Sequence, residues 1–150
     1  MKLSLLLWLS SLLPQTAADP LCMAATVYLE ARDQPAVGQR AVAEVAKRRQ
    51  ADGRWGDSVC EVVTSPHQFA PATVNPNFEI ESLDAWQKAF DIAFAAEDAW
   101  RSPEGLRQEL VPGASHFAVS SATPAWSSYP AVATIGSHTF YRVDRLVAAR

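Results

Sequence analysis

The chain has 150 residues, 49% of them hydrophobic and 19% charged, with a formal net charge of −3 and two cysteines. That length suits one domain, and the apolar share is too high for a disordered chain and sufficient for a core without a disulfide scaffold. The acidic balance argues against nucleic acid as the main partner, because phosphate contacts need a basic surface, and no run of about 20 apolar residues spans a bilayer.

Lys2, an apolar run from Leu3 to Leu13 interrupted only by serines, Pro14, and the small residues Thr16-Ala17-Ala18 follow one another. This is the layout of a secretory signal peptide cleaved after Ala18. It leaves a domain at residues 19–150, secreted or periplasmic, with no stable membrane insertion after cleavage. A buried N-terminal helix and a retained anchor are the alternatives. Export changes the reading of Cys22 and Cys60: in an oxidising compartment an even pair can bond, the alternative being two free buried thiols.

Asp19-Pro20 reads as a helix start, with Asp as N-cap and Pro at the first helical position. Leu21 to Leu29 carries no charge, so this helix is expected to be buried nearly all round. Pro35 opens a second helix with Val37, Ala41, Val42 and Val45 in a stripe, Arg40, Glu44, Lys47 and Arg48 largely on other faces, and Gly53 as terminator. Asp57 is a candidate cap for a short turn through Val62 and Val63. Ser65 to Asn77 holds Pro66, Pro71 and Pro76 and reads as a long ordered loop. Ser82 starts a third helix, ending near Trp100, with Leu83, Trp86, Phe90, Ala93 and Phe94 on one face. Beyond it the pattern predicts a strand over 114–119 and a loop around Pro124 and Trp126. Val132–Ile135 and His138–Val143 then form a hairpin about Gly136-Ser137, where glycine supplies the positive φ. Helices first and a small antiparallel sheet last make the class α+β.

Glu30 breaks the pattern, since it closes a run of nine uncharged residues on a buried helix. A carboxyl group there either faces water, near Arg32, or sits in a partly desolvated cleft. Desolvation raises its pKa, as a proton donor to a glycosidic oxygen requires. A rival constellation is His67, His116 and His138 as zinc ligands, with Glu30 as base, although no tight ligand spacing supports it. Phe69, Trp126 and Tyr141 lie in or beside loops, with Gln68, Ser127 and Ser128 near them in sequence. Flat rings with polar neighbours suit sugars, and equally they could cap the core.

Tyr28-Leu29-Glu30-Ala31-Arg32, Gly38-Gln39, Ala41 to Val45 and Arg49 resemble the opening block of the cell wall hydrolases of the SleB/CwlJ type, the spore-cortex-lytic family. Cys60 to Val63, Gln68-Phe69, Ala114 to Phe117, Pro124-x-Trp126 and Ile135 to Tyr141 follow in the same order. The resemblance covers roughly residues 21–143. It implies a lysozyme-like, mainly helical domain with a small C-terminal antiparallel sheet. It also implies a lytic transglycosylase-like activity on peptidoglycan glycan strands, between N-acetylmuramic acid and N-acetylglucosamine, without cofactor or metal. Glu30 takes the position of the catalytic acid, and Gln68, Phe69, His116, Trp126, His138 and Tyr141 are the candidate substrate contacts. The chain departs from the family at Asp33 and Gln34, where Gly-Glu is usual, at Arg48 for Asn, and at Ala118 for His. A monomer is expected, serving as a remodelling enzyme or an exported endolysin. A zinc amidase or peptidase and a non-catalytic wall-binding module are the competing function classes.

Overall fold

The computed structural model describes residues 1–143. Residues 144–150, which complete the expected domain, lie outside the described residues. Two helices open the chain, α1 (Leu3–Ser11) and α2 (Gln15–Ala31). α1 buries Leu3, Leu6 and Ser10 and leaves Leu5, Trp8, Leu9 and Leu12 exposed. Its N-terminal end is tied down by the Met1 ammonium, 3.2 Å from Glu79. Residues 1–18 thus pack on the rest of the chain.

α2 is the centre of the fold. From Cys22 to Tyr28 every residue is buried, as the uncharged run predicts. Its start is not where Asp19-Pro20 suggests: the helix begins at Gln15, five residues before Pro20, which lies inside it. The Asp19 carboxylate is used at long range, accepting the Cys60 N–H at 3.2 Å and the Gln15 side-chain amide at 3.1 Å. A capping residue in sequence has become a tie between two helices.

α3 (Ala36–Asp52) ends where glycine predicts, at Gly53 with φ 82°. Its polar side is less exposed than the pattern implies. Val37 is 40% exposed, whereas Glu44 and Lys47 are buried, because Lys47 meets Glu97 at 2.8 Å and Glu44 meets Arg48 at 2.9 Å. α4 (Val59–Thr64) is capped by Ser58, not Asp57, through a reciprocal capping box with Glu61. The proline-rich stretch contains a four-residue helix, α5 (Ala70–Thr73), with proline in its first turn. In α6 (Leu83–Trp100), capped by Ser82, the buried residues are Ala89, Ile92 and Ala93, while Leu83 and Phe94 are exposed. Small side chains let α6 approach α2 and α3 closely.

Strands β1 (His116–Val119), β2 (Ala131–Ile135) and β3 (His138–Tyr141) form an antiparallel sheet in the order β1-β3-β2. His116 stands opposite Tyr141, and Ile135 opposite His138. Gly136 at the hairpin tip has φ 59°, and the Ser137 N–H donates to Gln34 Oε1 at 2.8 Å. A Cβ at Gly136 would collide with that same oxygen and stand 3.0 Å from Pro35 Cδ. Gln34, one of the departures from the family pattern, therefore pins the sheet to the α2–α3 turn. Gly136→Ala is expected to destabilise the protein by about 1–3 kcal/mol, from the strained φ and the clash together, measured by chemical denaturation. Among the described residues no helix is long and apolar enough to cross a membrane.

Candidate active site

Glu30 stands on the last turn of α2, where the buried helix emerges beneath the α5 segment. Its Oε1 accepts the backbone N–H of Ala70 at 2.7 Å. The group opens onto a cavity of about 570 Å³ lined by Glu30, Arg49, Trp55, His67, Gln68, Phe69 and, from β1 and the turn after it, His116, Phe117 and Trp126. Burial pushes the Glu30 carboxyl above its ordinary value of 4.5, against the opposing pull of the Ala70 hydrogen bond and the Arg49 charge. Desolvation is the largest of the three effects, so the net shift is upward, the direction a proton donor needs.

Glu30 is the only carboxylate among the described lining residues. Glu44, Asp57, Glu61 and Glu79 lie outside that lining. Glu44 accepts the N–H groups of Leu110 and Val111 at 2.8 and 2.9 Å besides pairing with Arg48. Glu61 accepts the Asp57 and Ser58 N–H groups as part of the α4 cap. Asp57 is exposed beside that cap, and Glu79 pairs with the N-terminus. Arg48, where the family has Asn, spans Glu44, Glu109 at 2.7 Å and the Ala114 carbonyl at 2.6 Å, so it braces the approach to β1.

An aromatic wall runs along one side. The rings of Trp55 and His116 are 6.1 Å apart, His116 and Trp126 5.0 Å, and Trp126 and Tyr141 5.4 Å. The register explains it: His116 and Tyr141 are paired across β1 and β3 and so share a face. Burial, with Arg49 and Arg54 nearby, lowers the His116 pKa to about 4, which keeps the imidazole neutral. Its Nδ1 is 2.8 Å from the Ser115 hydroxyl.

Of the residues singled out in sequence, Glu30, Gln68, Phe69, His116 and Trp126 come together at the cavity, and Tyr141 backs Trp126. Phe69 is only 2% exposed, so it serves as a wall and not as an open platform. His138 is elsewhere: it is buried against Phe117 and Phe140, its side chain taken inward by the core face of β3. The three histidines do not converge, and among the described residues no three His, Cys, Asp or Glu side chains are placed to hold a metal. Sequence reasoning missed that Arg49, Trp55 and the Ala70 N–H stand at the cavity. The one available signal was Arg49 itself, a matched position in the family block without an assigned task.

The Cys22–Cys60 disulfide joins α2 to α4, with Cα atoms 5.2 Å apart. α4 leads directly into the segment that carries Gln68, Phe69 and Ala70, so the cross-link ties the base of that segment to the helix that carries Glu30.

Comparison with known proteins agrees with this architecture. The profile of the Cell Wall Hydrolase family matches residues 33–141, beginning just after Glu30. The catalytic domain of the germination-specific lytic transglycosylase SleB from Bacillus anthracis superposes with a TM-score of 0.65 at 25% identity, covering 82% of this chain and 93% of that one. The catalytic domain of the Bacillus cereus SleB protein gives 0.62 at 24% identity, covering 82% and 88%. No curated protein sequence matches the chain significantly.

Proposed function

Because the chain belongs to the Cell Wall Hydrolase family, we propose that it is a lytic transglycosylase that uses Glu30 as its single acid and base. The bond cleaved joins N-acetylmuramic acid to N-acetylglucosamine. One observation carries the reading: a half-buried carboxyl group, its pKa raised by burial, is the one acid among the described lining residues of a sugar-sized, aromatic-walled cavity. Hydrolysis with a second carboxylate would place one about 5–9.5 Å from the first, and the described lining residues hold none.

Glu30 protonates the glycosidic oxygen as the bond from muramic C1 to that oxygen breaks. The resulting carboxylate takes the proton of the muramic C6 hydroxyl while O6 bonds to C1. The products are a 1,6-anhydromuramyl end and a free N-acetylglucosamine hydroxyl, and no water is consumed. The Ala70 N–H, fixed on Oε1 at 2.7 Å, stabilises the carboxylate between the two transfers. Trp126, Tyr141 and neutral His116 offer a surface for the sugar rings, with Gln68 supplying an amide.

The reaction starts from protonated Glu30, so activity falls as pH rises through its pKa. Since burial places that value above 4.5, the alkaline limb of kcat/KM is expected above the range of an exposed glutamate. A limb at or below 4.5 would contradict the assignment. The test is the kcat/KM profile on solubilised peptidoglycan.

Residues 1–18 are proposed to be an export signal removed after Ala18, delivering the enzyme as a monomer to the periplasm or exterior. Cleavage there supports the sequence logic of Asp19-Pro20: Pro20 would stand near the start of the helix, where its missing N–H costs nothing. Mass measurement of the exported protein tests it.

A further inference from the structure

Arg49, on the last turn of α3, is 5% exposed. Its guanidinium lies between two rings, 4.9 Å from the centroid of Trp55 and 4.9 Å from that of Phe69. Nε donates to the Ser115 carbonyl at 2.8 Å and Nη1 to Gln68 Oε1 at 2.8 Å. Both partners are neutral. A buried cation is normally held by a bonded carboxylate, and leaving it without one is costly. Here the acid that shares its cavity is Glu30, whose charge couples to that of Arg49.

Resting on the Glu30 reading, we propose that Arg49 is the positioning residue of the site. It is a fixed counter-charge for the Glu30 carboxylate between proton donation and proton return, and a clamp on the segment whose Ala70 N–H grips Glu30. Both tasks fall to one guanidinium group. Charge acts across the cavity, while the hydrogen bonds to Gln68 and Ser115 join the loop before α5 to the approach of β1. The site has few other charges to perform the first task. His116 on β1 is neutral above about 4. His67, on the loop, is exposed at the rim, where water screens it. Arg54, beyond α3, stacks on Trp55 at 4.4 Å. A merely structural arginine would need no proximity to the acid. The two stacking rings also limit access of water to the guanidinium and so preserve the strength of its field in the cavity.

The test compares Arg49→Gln and Arg49→Lys with the parent protein, following the Glu30 carboxyl by carbon NMR without substrate and the pH profile with it. In Arg49→Gln the Glu30 midpoint is expected to move further up, and the alkaline limb of kcat/KM to move with it. At the same time kcat should fall about 100-fold with KM changed less than about threefold, the mark of a charge needed in the transition state. Arg49→Lys keeps the charge and should keep both midpoints near those of the parent while losing part of the loop clamp. Unmoved midpoints in Arg49→Gln overturn the proposal, and so does an Arg49→Lys midpoint displaced upward. If Arg49→Gln fails to fold, the lysine variant decides alone by the same criterion. Glu30→Gln distinguishes the underlying reading: cleavage that survives it removes the acid assignment, whatever the titration gives.

Discussion

Glu30→Gln is expected to lower peptidoglycan cleavage by about 10³-fold, the middle of the range that a positioned general acid contributes. The amide is nearly isosteric, and its oxygen can still accept the Ala70 N–H now bonded at 2.7 Å to Glu30 Oε1. It has no proton to give. Stability should not suffer, and the sign follows from linkage. Folding raises the Glu30 pKa above 4.5, so its contribution is present below that value and is lost as pH rises through the folded value. At neutral pH the variant is therefore expected to be at least as stable as the parent. Turbidity loss of purified sacculi and thermal denaturation together check this. Loss of activity with loss of fold would not fit it.

The second large effect concerns the cross-link. Cys22 and Cys60 are 38 residues apart in sequence, and opening a loop of that length costs about 4 kcal/mol by the chain-entropy relation. For a domain of this size that corresponds to roughly 15 °C in melting temperature. Replacing both cysteines by alanine is expected to produce a loss of that order, read by calorimetry. The consequence should reach the active site before global unfolding, because α4 carries the chain into the segment that holds Ala70 against Glu30. Asp19, which also bonds the Cys60 N–H, is the remaining tie at that corner. Activity in the double variant should therefore decline below its melting transition, whereas unchanged melting would show that packing alone holds α4.

The partial burial of Glu30 was legible in the sequence because its signal is local: a charge at the end of nine uncharged residues implies burial beneath it. The ends of α3 and α6 were legible for the same reason, since Gly53 and Ser82 act on their own helix termini. The start of α2 was not, because Asp19 has its carboxylate partners in Gln15 and in Cys60, 41 residues on. Burial of Glu44 and Lys47 was equally hidden, as their partners Leu110, Val111 and Glu97 lie more than forty residues away. His138 and Tyr141 fall on opposite faces of an alternating strand, and only the pairing of β1 with β3 shows which face is core and which the cavity side. Arg49 is the extreme case: its bonded partners are 19 and 66 residues distant, and the task proposed for it depends on a cavity assembled from three helices and a sheet.

The most direct test is the chemistry of the new sugar ends. Mass spectrometry of muropeptides released by the purified enzyme should find muramic ends lighter by one water, the 1,6-anhydro form, and these should disappear with Glu30→Gln. Hydrated reducing ends from the unaltered protein would instead demand a water nucleophile and a second acid. That would contradict a site run by one carboxyl group.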